Sequence, residues 1–513
     1  MSANGIDWFD ERTWSVSGNK EEALGRIKSS SNQAAAAAAA ASVLFPKSTL
    51  EISQYLSNDD HRDCPIAVVC GGHSSSNVAT WPIFQNDNDG NEHQHGRTMI
   101  IDMKHMSSIN VNRETLEVTV GGGVLFRQLA EACSKAKCAL PIGTGPTVGV
   151  CGYLLNGGIS GYFGRRLGML GQRVTKMEIV LANGEIKTLV SPKALGSNDA
   201  SGCDDGDNDL FRACLGAGSA MGVVTSLTIK MEEESIYRTG GSIVFACSSK
   251  SIAKTFLRKA LSFMKERVLL SSTLPASTSM EIVTTSDYTV ICTLMFYDSF
   301  DGDPETFVAP LRGAAKECNI PIVADGVSSH KTWFDAASSL WGVIDGMKGN
   351  PLVRMDHCIG TEHIPSDEAL EFLLDRWFGS FLEKAPLTII EIRTLGGAAS
   401  SNDQGNHCLL PTSNVKCTFF ADMIVSYDAS TVSAEDKSSI LAEVHDIIAE
   451  AKKRSDIMVD FSGTHGQSDD PATLLPDGEE VFGGKENYDF ISANKKKYDP
   501  HNRFCYHPFL TLI

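Results

Sequence analysis

No stretch of the 513-residue chain approaches the roughly 18 consecutive apolar residues that span a bilayer, which excludes a helical membrane protein. Clustered positive charge is almost as scarce. Asp and Glu number 63 against 45 Lys and Arg, giving a net charge of −18 and a pI near 5.2. The densest basic run, Lys495-Lys496-Lys497, reads as a solvated helix face. Phosphate backbones are bound by clustered Lys and Arg that release counterions, so neither nucleic acid nor an anionic membrane surface is an expected partner. The 14 cysteines include no Cys-x-x-Cys pair, Cys133 and Cys138 stand too isolated for zinc, and His93-x-His95 lies in the polar stretch 85–97, so no metal is expected. No basic segment followed by an apolar one opens the chain, and Thr511-Leu512-Ile513 is not a peroxisomal address. A cytoplasmic location with free thiols is the expectation. A Walker A loop and a Gly-x-Ser-x-Gly elbow are also missing.

Apolar material is plentiful, at 42% against 21% charged residues, so cores can form. The length exceeds what one core serves and predicts two or more domains. An eight-alanine run within Ser29–Ser42 reads as a helix or a low-complexity surface segment. From Ile66 the texture changes to short β-type runs separated by glycines: Ile66–Val69, Thr98–Ile101 and Leu116–Val120. Val124–Lys135 carries Leu125, Leu129 and Cys133 at helical spacing. Asn183-Gly184 is a hairpin signal between strands at Lys176–Leu181 and Glu185–Val190. An apolar segment, Leu210–Lys230, closes this half. After about residue 236 glycine thins out and longer elements follow. Helices are predicted at Ile252–Arg267, Asp367–Lys384 and Ala434–Arg454, and strands at Tyr288–Phe296, Leu387–Thr394 and Thr418–Ser426. The fold class is α+β.

Glycine concentrates around Gly71-Gly72, Gly121–Gly123, Gly143–Gly168 and Gly216–Gly222. Such loops let the backbone approach a ligand closely and offer N–H groups to phosphates, so a large polar ligand is expected and a dinucleotide fits. The Rossmann fingerprint does not fit. Gly143-x-Gly145-x-x-x-Gly149 and Gly216-x-Gly218-x-x-x-Gly222 each carry one residue too many, and no βαβ unit with a later acidic residue follows. Another pattern does. It runs, in order, through Val69-Cys70-Gly71-Gly72-His73-Ser74, Val120-Gly121-Gly122-Gly123, Pro146-Thr147-Val148-Gly149, the glycine-rich Cys151–Gly168, Asn208-Asp209-Leu210-Phe211 and Gly216–Lys230. It closes with Phe482-Gly483, Asn487-Tyr488 and Lys497-Tyr498-Asp499-Pro500-x-Asn502-x-Phe504. Together these resemble the berberine-bridge-enzyme-like branch of flavoproteins with a vanillyl-alcohol-oxidase (PCMH-type) FAD domain. The match covers residues 40–235 and 475–513 well. In the middle it rests on Arg393-x-Leu395-Gly396-Gly397-Ala398.

The resemblance implies a two-subdomain FAD-binding domain at residues 1–236 and a substrate domain at 237–465, whose antiparallel sheet, flanked by helices, roofs the flavin. Residues 466–513 would return to the FAD domain. His73 matches the histidine that forms an 8α-histidyl bond to the flavin. A neutral imidazole nitrogen can attack the flavin methyl, and the bond favours hydride uptake by raising the potential. The other cofactor contacts implied are Gly71, Gly72, Ser74, Pro146, Thr147, Val148, Gly149, Cys151, Gly152, Gly157, Gly158, Gly222, Val223, Tyr498 and Asn502. Doubly attached relatives carry cysteine just before Pro-Thr-Val-Gly, where this chain has Gly145. A single bond through His73 is therefore expected, with Cys151 packing near the flavin and a shifted thioether as the alternative.

Hydride removal needs a base near the donor carbon. Relatives use a tyrosine of a Tyr-x-Asn-Tyr element; the corresponding stretch here is Met458-Val459-Asp460-Phe461. Candidates to replace it are Tyr162 in the glycine-rich loop, Glu391, Arg393 and Tyr427 on the roof strands, and Asp460. Strand alternation puts Glu391 and Arg393 on one face, as a pair serving either substrate binding or structure. The expected reaction takes a hydride from an alcohol, hemiacetal or amine carbon of a small molecule onto covalently bound flavin, with O2 reoxidising it to H2O2. Val148 sits where a small residue goes with oxygen access in relatives, which favours an oxidase. The alternatives are a dehydrogenase with another acceptor, and a flavin-bound scaffold for non-redox cyclisation or binding.

Overall fold

A computed structural model describes residues 8–10, 40–58, 64–73, 98–191, 205–270, 278–297, 303–339, 341, 352–361, 363–377, 379–400, 417–428, 431–460, 478–482, 484–505 and 510. The N-terminal half builds two small sheets. In the first, Trp8–Asp10, Ala40–Leu44, Thr98–Asp102 and Ile66–Val69 lie in that order, the last three parallel. The end of the alanine run is thus strand rather than helix. Leu44 is buried with Ile66, Met99 and Ile101 under the helix Thr49–Leu56, and pairing beside Thr98–Asp102 overrides alanine's helix preference. The second sheet is antiparallel: Ile109–Asn112, Glu117–Gly121, Gly222–Lys230, Val174–Leu181 and Ile186–Val190. The Asn-Gly turn closes the expected hairpin with Gly184 at φ 85°. The predicted helix at Val124 begins at Phe126, where the Gln128 side chain accepts from the Leu125 N–H at 2.9 Å. The apolar segment Leu210–Lys230 resolves into the end of the helix Asp205–Cys214 and the strand Gly222–Lys230.

The C-terminal half is organised by one large antiparallel sheet. Its strands run in the order Ile322–Asp325, Arg238–Ala246, Thr289–Tyr297, Thr278–Thr285, Ile389–Thr394, Phe419–Asp428, Leu352–Thr361 and Met458–Asp460, with Ser328–Ser329 also on Arg238–Ala246. Only Thr289–Tyr297, Ile389–Thr394 and Phe419–Asp428 were anticipated from the sequence. One face carries Phe245, Ile282, Cys292, Ile392 and Met423, buried with residues of the helices Lys250–Phe263, Pro304–Glu317, Asp367–Trp377 and Ala434–Lys452. The helix expected over Asp367–Lys384 is divided into Asp367–Trp377 and Phe381–Lys384.

The C-terminal helix Lys485–Tyr498 returns to the N-terminal half. The fully buried Lys495 ammonium donates to the Ala220 and Phe504 carbonyls, both at 3.0 Å, and pairs with buried Asp499. Arg503 donates to the Leu56 carbonyl at 2.9 Å and to that of Ala182. Among the described residues no helix is long and apolar enough to cross a membrane.

Candidate active site

The strand Ile66–Val69 runs out into Cys70-Gly71-Gly72-His73. Gly72 adopts φ 65°, a left-handed turn, and His73 Nε2 lies 2.8 Å from Thr147 Oγ1. The loop carrying Thr147 is pinned to the start of the helix Phe126–Lys135. Phe126 N–H donates to the Val148 carbonyl at 3.0 Å and Arg127 N–H to that of Pro146 at 2.9 Å. Backbones meet directly here: a Cβ on Gly71 would stand 2.7 Å from the Thr147 carbonyl oxygen, and one on Gly149 2.7 Å from Cys70 Cβ. In the next helix, Val150–Leu155, exposed Gly152 would meet nothing within 4 Å of an added Cβ, whereas Cys151 turns into the core. Burial pushes the Cys151 thiol well up, and neighbouring Cys70 adds to this. Close-packed backbone, an open glycine face and a held imidazole form a cradle that suits a large dinucleotide.

The remaining predicted contacts are more dispersed. Gly157 and Gly158, at φ 110° and 72°, form a turn whose carbonyls accept from Gly171 and Leu170. Gly222 lies in the strand paired with Val174–Leu181, and Val223 is buried beneath the first sheet. Tyr498 donates to the Gly206 carbonyl at 3.0 Å, and Asn502, at φ 49°, sits in the turn before Arg503. Gly222, Val223, Tyr498 and Asn502 lie in the framework around the cradle. Ser74 lies outside the described residues.

Opposite the helices, the large sheet presents a polar face. Glu281 and Arg393 are register partners on adjacent strands, as are Glu391 and Asp422. Arg393 Nε donates to Glu281 Oε1 at 2.6 Å, and the same guanidinium pairs with Glu391. Tyr162, from the glycine-rich segment, donates its hydroxyl to the other oxygen of Glu281. A Cβ on Gly161 would stand 3.2 Å from Arg393 Cδ, so this segment lies directly against the roof. Arg165, four residues on from Gly161, donates to the Thr278 carbonyl at 2.9 Å. Burial, with Glu281 adding, holds the Tyr162 phenol well above its usual range. Arg393 is raised as well: burial opposes its charge, but Glu281 and Asp422 outweigh that effect.

Of the predicted base candidates, three meet here: Tyr162, Glu391 and Arg393. Tyr427 does not. It alternates with Met423 and Val425 into the helix-covered core, the face opposite Asp422. Asp460 pairs in register with Cys358, whose other register partner is Asp422, so its backbone extends the Glu391–Asp422 rung. Glu281 and Asp422 were missed. Their signal was a carboxylate within a strand that is otherwise uncharged up to its last residue, in Thr278–Thr285 and in Phe419–Asp428, which is costly to bury unless paired.

The cradle lies within a segment that matches a known family. Residues 40–189 match the FAD binding domain family. They are an FAD binding domain. The chain is also similar to curated proteins, including (R)-6-hydroxynicotine oxidase of Paenarthrobacter nicotinovorans. That protein is 29% identical over 205 residues, 40% of this chain and 39% of its own length. The chain spans about two fifths or less of the length of the first curated relatives it matches. The FAD binding domain and the roof sheet together have the fold of 6-hydroxy-D-nicotine oxidase from Arthrobacter nicotinovorans, with a TM-score of 0.71, 17% identity and coverage of 99% of this chain and 98% of that one. A variant of berberine bridge enzyme superposes equally well, with a TM-score of 0.71, 17% identity and the same coverage.

Proposed function

We propose that the chain is an FAD-dependent oxidase of small molecules. Residues 1–236 and 466–513 hold the cofactor, and residues 237–465 form the roof that receives the substrate. The observation that carries this reading is the Tyr162–Glu281–Arg393–Glu391 cluster, packed on the glycine-rich segment that continues from the FAD cradle. Bound FAD would supply the two-electron acceptor for hydride from an alcohol, hemiacetal or amine carbon, with O2 as the final oxidant and H2O2 as its product. His73, held with Nε2 2.8 Å from Thr147 Oγ1, is its single covalent anchor. Cys151 faces the core with a thiol that resists ionisation, which disfavours a thioether. Glu391 takes the proton that leaves the substrate hydroxyl or ammonium. Arg393 holds Glu391 in place and offers hydrogen bonds to the substrate heteroatom, while Tyr162, whose hydroxyl proton goes to Glu281, leaves only its oxygen lone pairs for the substrate. Val148, at the position where a small residue goes with oxygen access in the resembling family, favours O2 as the acceptor.

Acid precipitation of the wild type and of His73→Ala tests the anchor. Yellow, fluorescent wild-type pellet with flavin released from the variant is the expected outcome; flavin retained by the variant moves the bond to Cys151. Anaerobic titration with alcohols, hemiacetals and amines, followed by air, tests the reaction. Bleaching followed by rapid recolouring with stoichiometric peroxide is expected. Bleaching without recolouring makes the protein a dehydrogenase, and no bleaching by any class sinks the redox reading.

A further inference from the structure

Glu281 has no part in the chemistry assigned above, yet it is the only side chain among those described that binds both Tyr162 and Arg393. Each of its oxygens is committed, one to the phenol hydroxyl and one to the guanidinium, and all three side chains are largely buried. Other groups face Tyr162 as well. Thr293 reaches it from the neighbouring strand, Arg393 from the strand beyond Glu281, and the Phe163 ring that follows it in sequence packs on Tyr297. Arg393 in turn feels Glu391 and Asp422, and Tyr153 lies within its field. Without the Glu281 carboxylate, a buried guanidinium would face a buried phenol, an arrangement that draws the proton off the phenol. With it, the phenol must donate, because an ionised carboxylate can only accept.

We propose that Glu281 is the positioning residue of this site: it fixes Tyr162 as a protonated hydrogen-bond donor and holds Arg393 between two carboxylates. This rests on the reading that the cluster lines the substrate site, and it makes Glu391, not Tyr162, the group that takes the proton. The geometry joins the glycine-rich segment to the roof through one carboxylate, so the same contact sets the spacing of the two halves around the substrate.

Tyrosinate absorbance of the flavin-loaded protein is followed against pH, and Tyr162 is isolated by subtracting Tyr162→Phe. In the wild type Tyr162 remains protonated beyond the ordinary tyrosine value near 10. In Glu281→Gln its midpoint falls by about one unit or more, as loss of a neighbouring charge requires, while Glu281→Asp keeps it close to wild type. A wild-type Tyr162 that titrates like a free tyrosine overturns the proposal, as does an unchanged midpoint in Glu281→Gln. If Glu281→Gln does not fold, the wild-type and Glu281→Asp titrations decide alone: a normal wild-type midpoint refutes, and protection in both supports. The readout needs no substrate, so failure of the oxidase reading shows separately, as flavin that no substrate bleaches.

Discussion

The cradle around His73 and the cluster around Arg393 are built by opposite means. The cradle is backbone against backbone: Gly71 meets Gly149, with the His73–Thr147 pair at its edge. The cluster is side chain against side chain, assembled from a loop and three strands separated by more than 100 residues in places. A cofactor shared by many relatives can be met by backbone, whose shape depends little on the residues around it. A substrate site has to be specified by charge and hydrogen-bond direction, and those reside in side chains that can change without altering the sheet. The two regions should therefore break differently.

The largest effect is expected from Gly149→Leu. The added carbons would collide with Cys70 and Gly71 at a point where backbone cannot yield, at a cost of ~3 kcal/mol or more. Flavin content of the purified protein and its melting temperature should both collapse, while alterations in the roof leave the yellow colour. Next is Lys495→Met, which strands the buried Asp499 carboxylate and frees the C-terminal clasp. Removing one partner of a buried pair costs about 3–5 kcal/mol, so denaturant unfolding should shift strongly toward lower concentration; a change below about 1 kcal/mol would mean that the clasp is solvated. The smallest effect is expected from Tyr427→Phe. Because Tyr427 lies on the helix face of the sheet, flavin content and substrate reduction rate should stay within about twofold of wild type, with at most about 1 kcal/mol lost in stability. A large loss of reduction rate with normal flavin content would place Tyr427 in the reaction after all.

The FAD half was legible because its information is local. Gly71-Gly72-His73, Pro146-Thr147-Val148-Gly149 and the Asn183-Gly184 turn specify backbone paths over a few residues, and the structure has a left-handed turn at Gly72, a pinned loop at Pro146 and Val148 and the expected hairpin at Gly184. Gly222 and Val223 belong to the same motifs and open the strand Gly222–Lys230, with Val223 buried under the first sheet. The roof was less legible. Alternation correctly put Glu391 beside Arg393, yet it could not relate Thr278–Thr285 or Phe419–Asp428 to that strand, so Glu281 and Asp422 escaped notice and Tyr427 was included on the wrong face.

The amino-acid sequence by itself determined the α+β class, the glycine-built cradle and its histidine, because turns and close approaches are dictated by residues adjacent in the chain. Which strands neighbour one another, and hence which carboxylate meets which arginine and tyrosine, was decided only by tertiary structure. Register shifts by a single residue reverse the face a side chain occupies, and that register is set by the burial of Ile282, Ile392 and Met423 against helices distant in sequence.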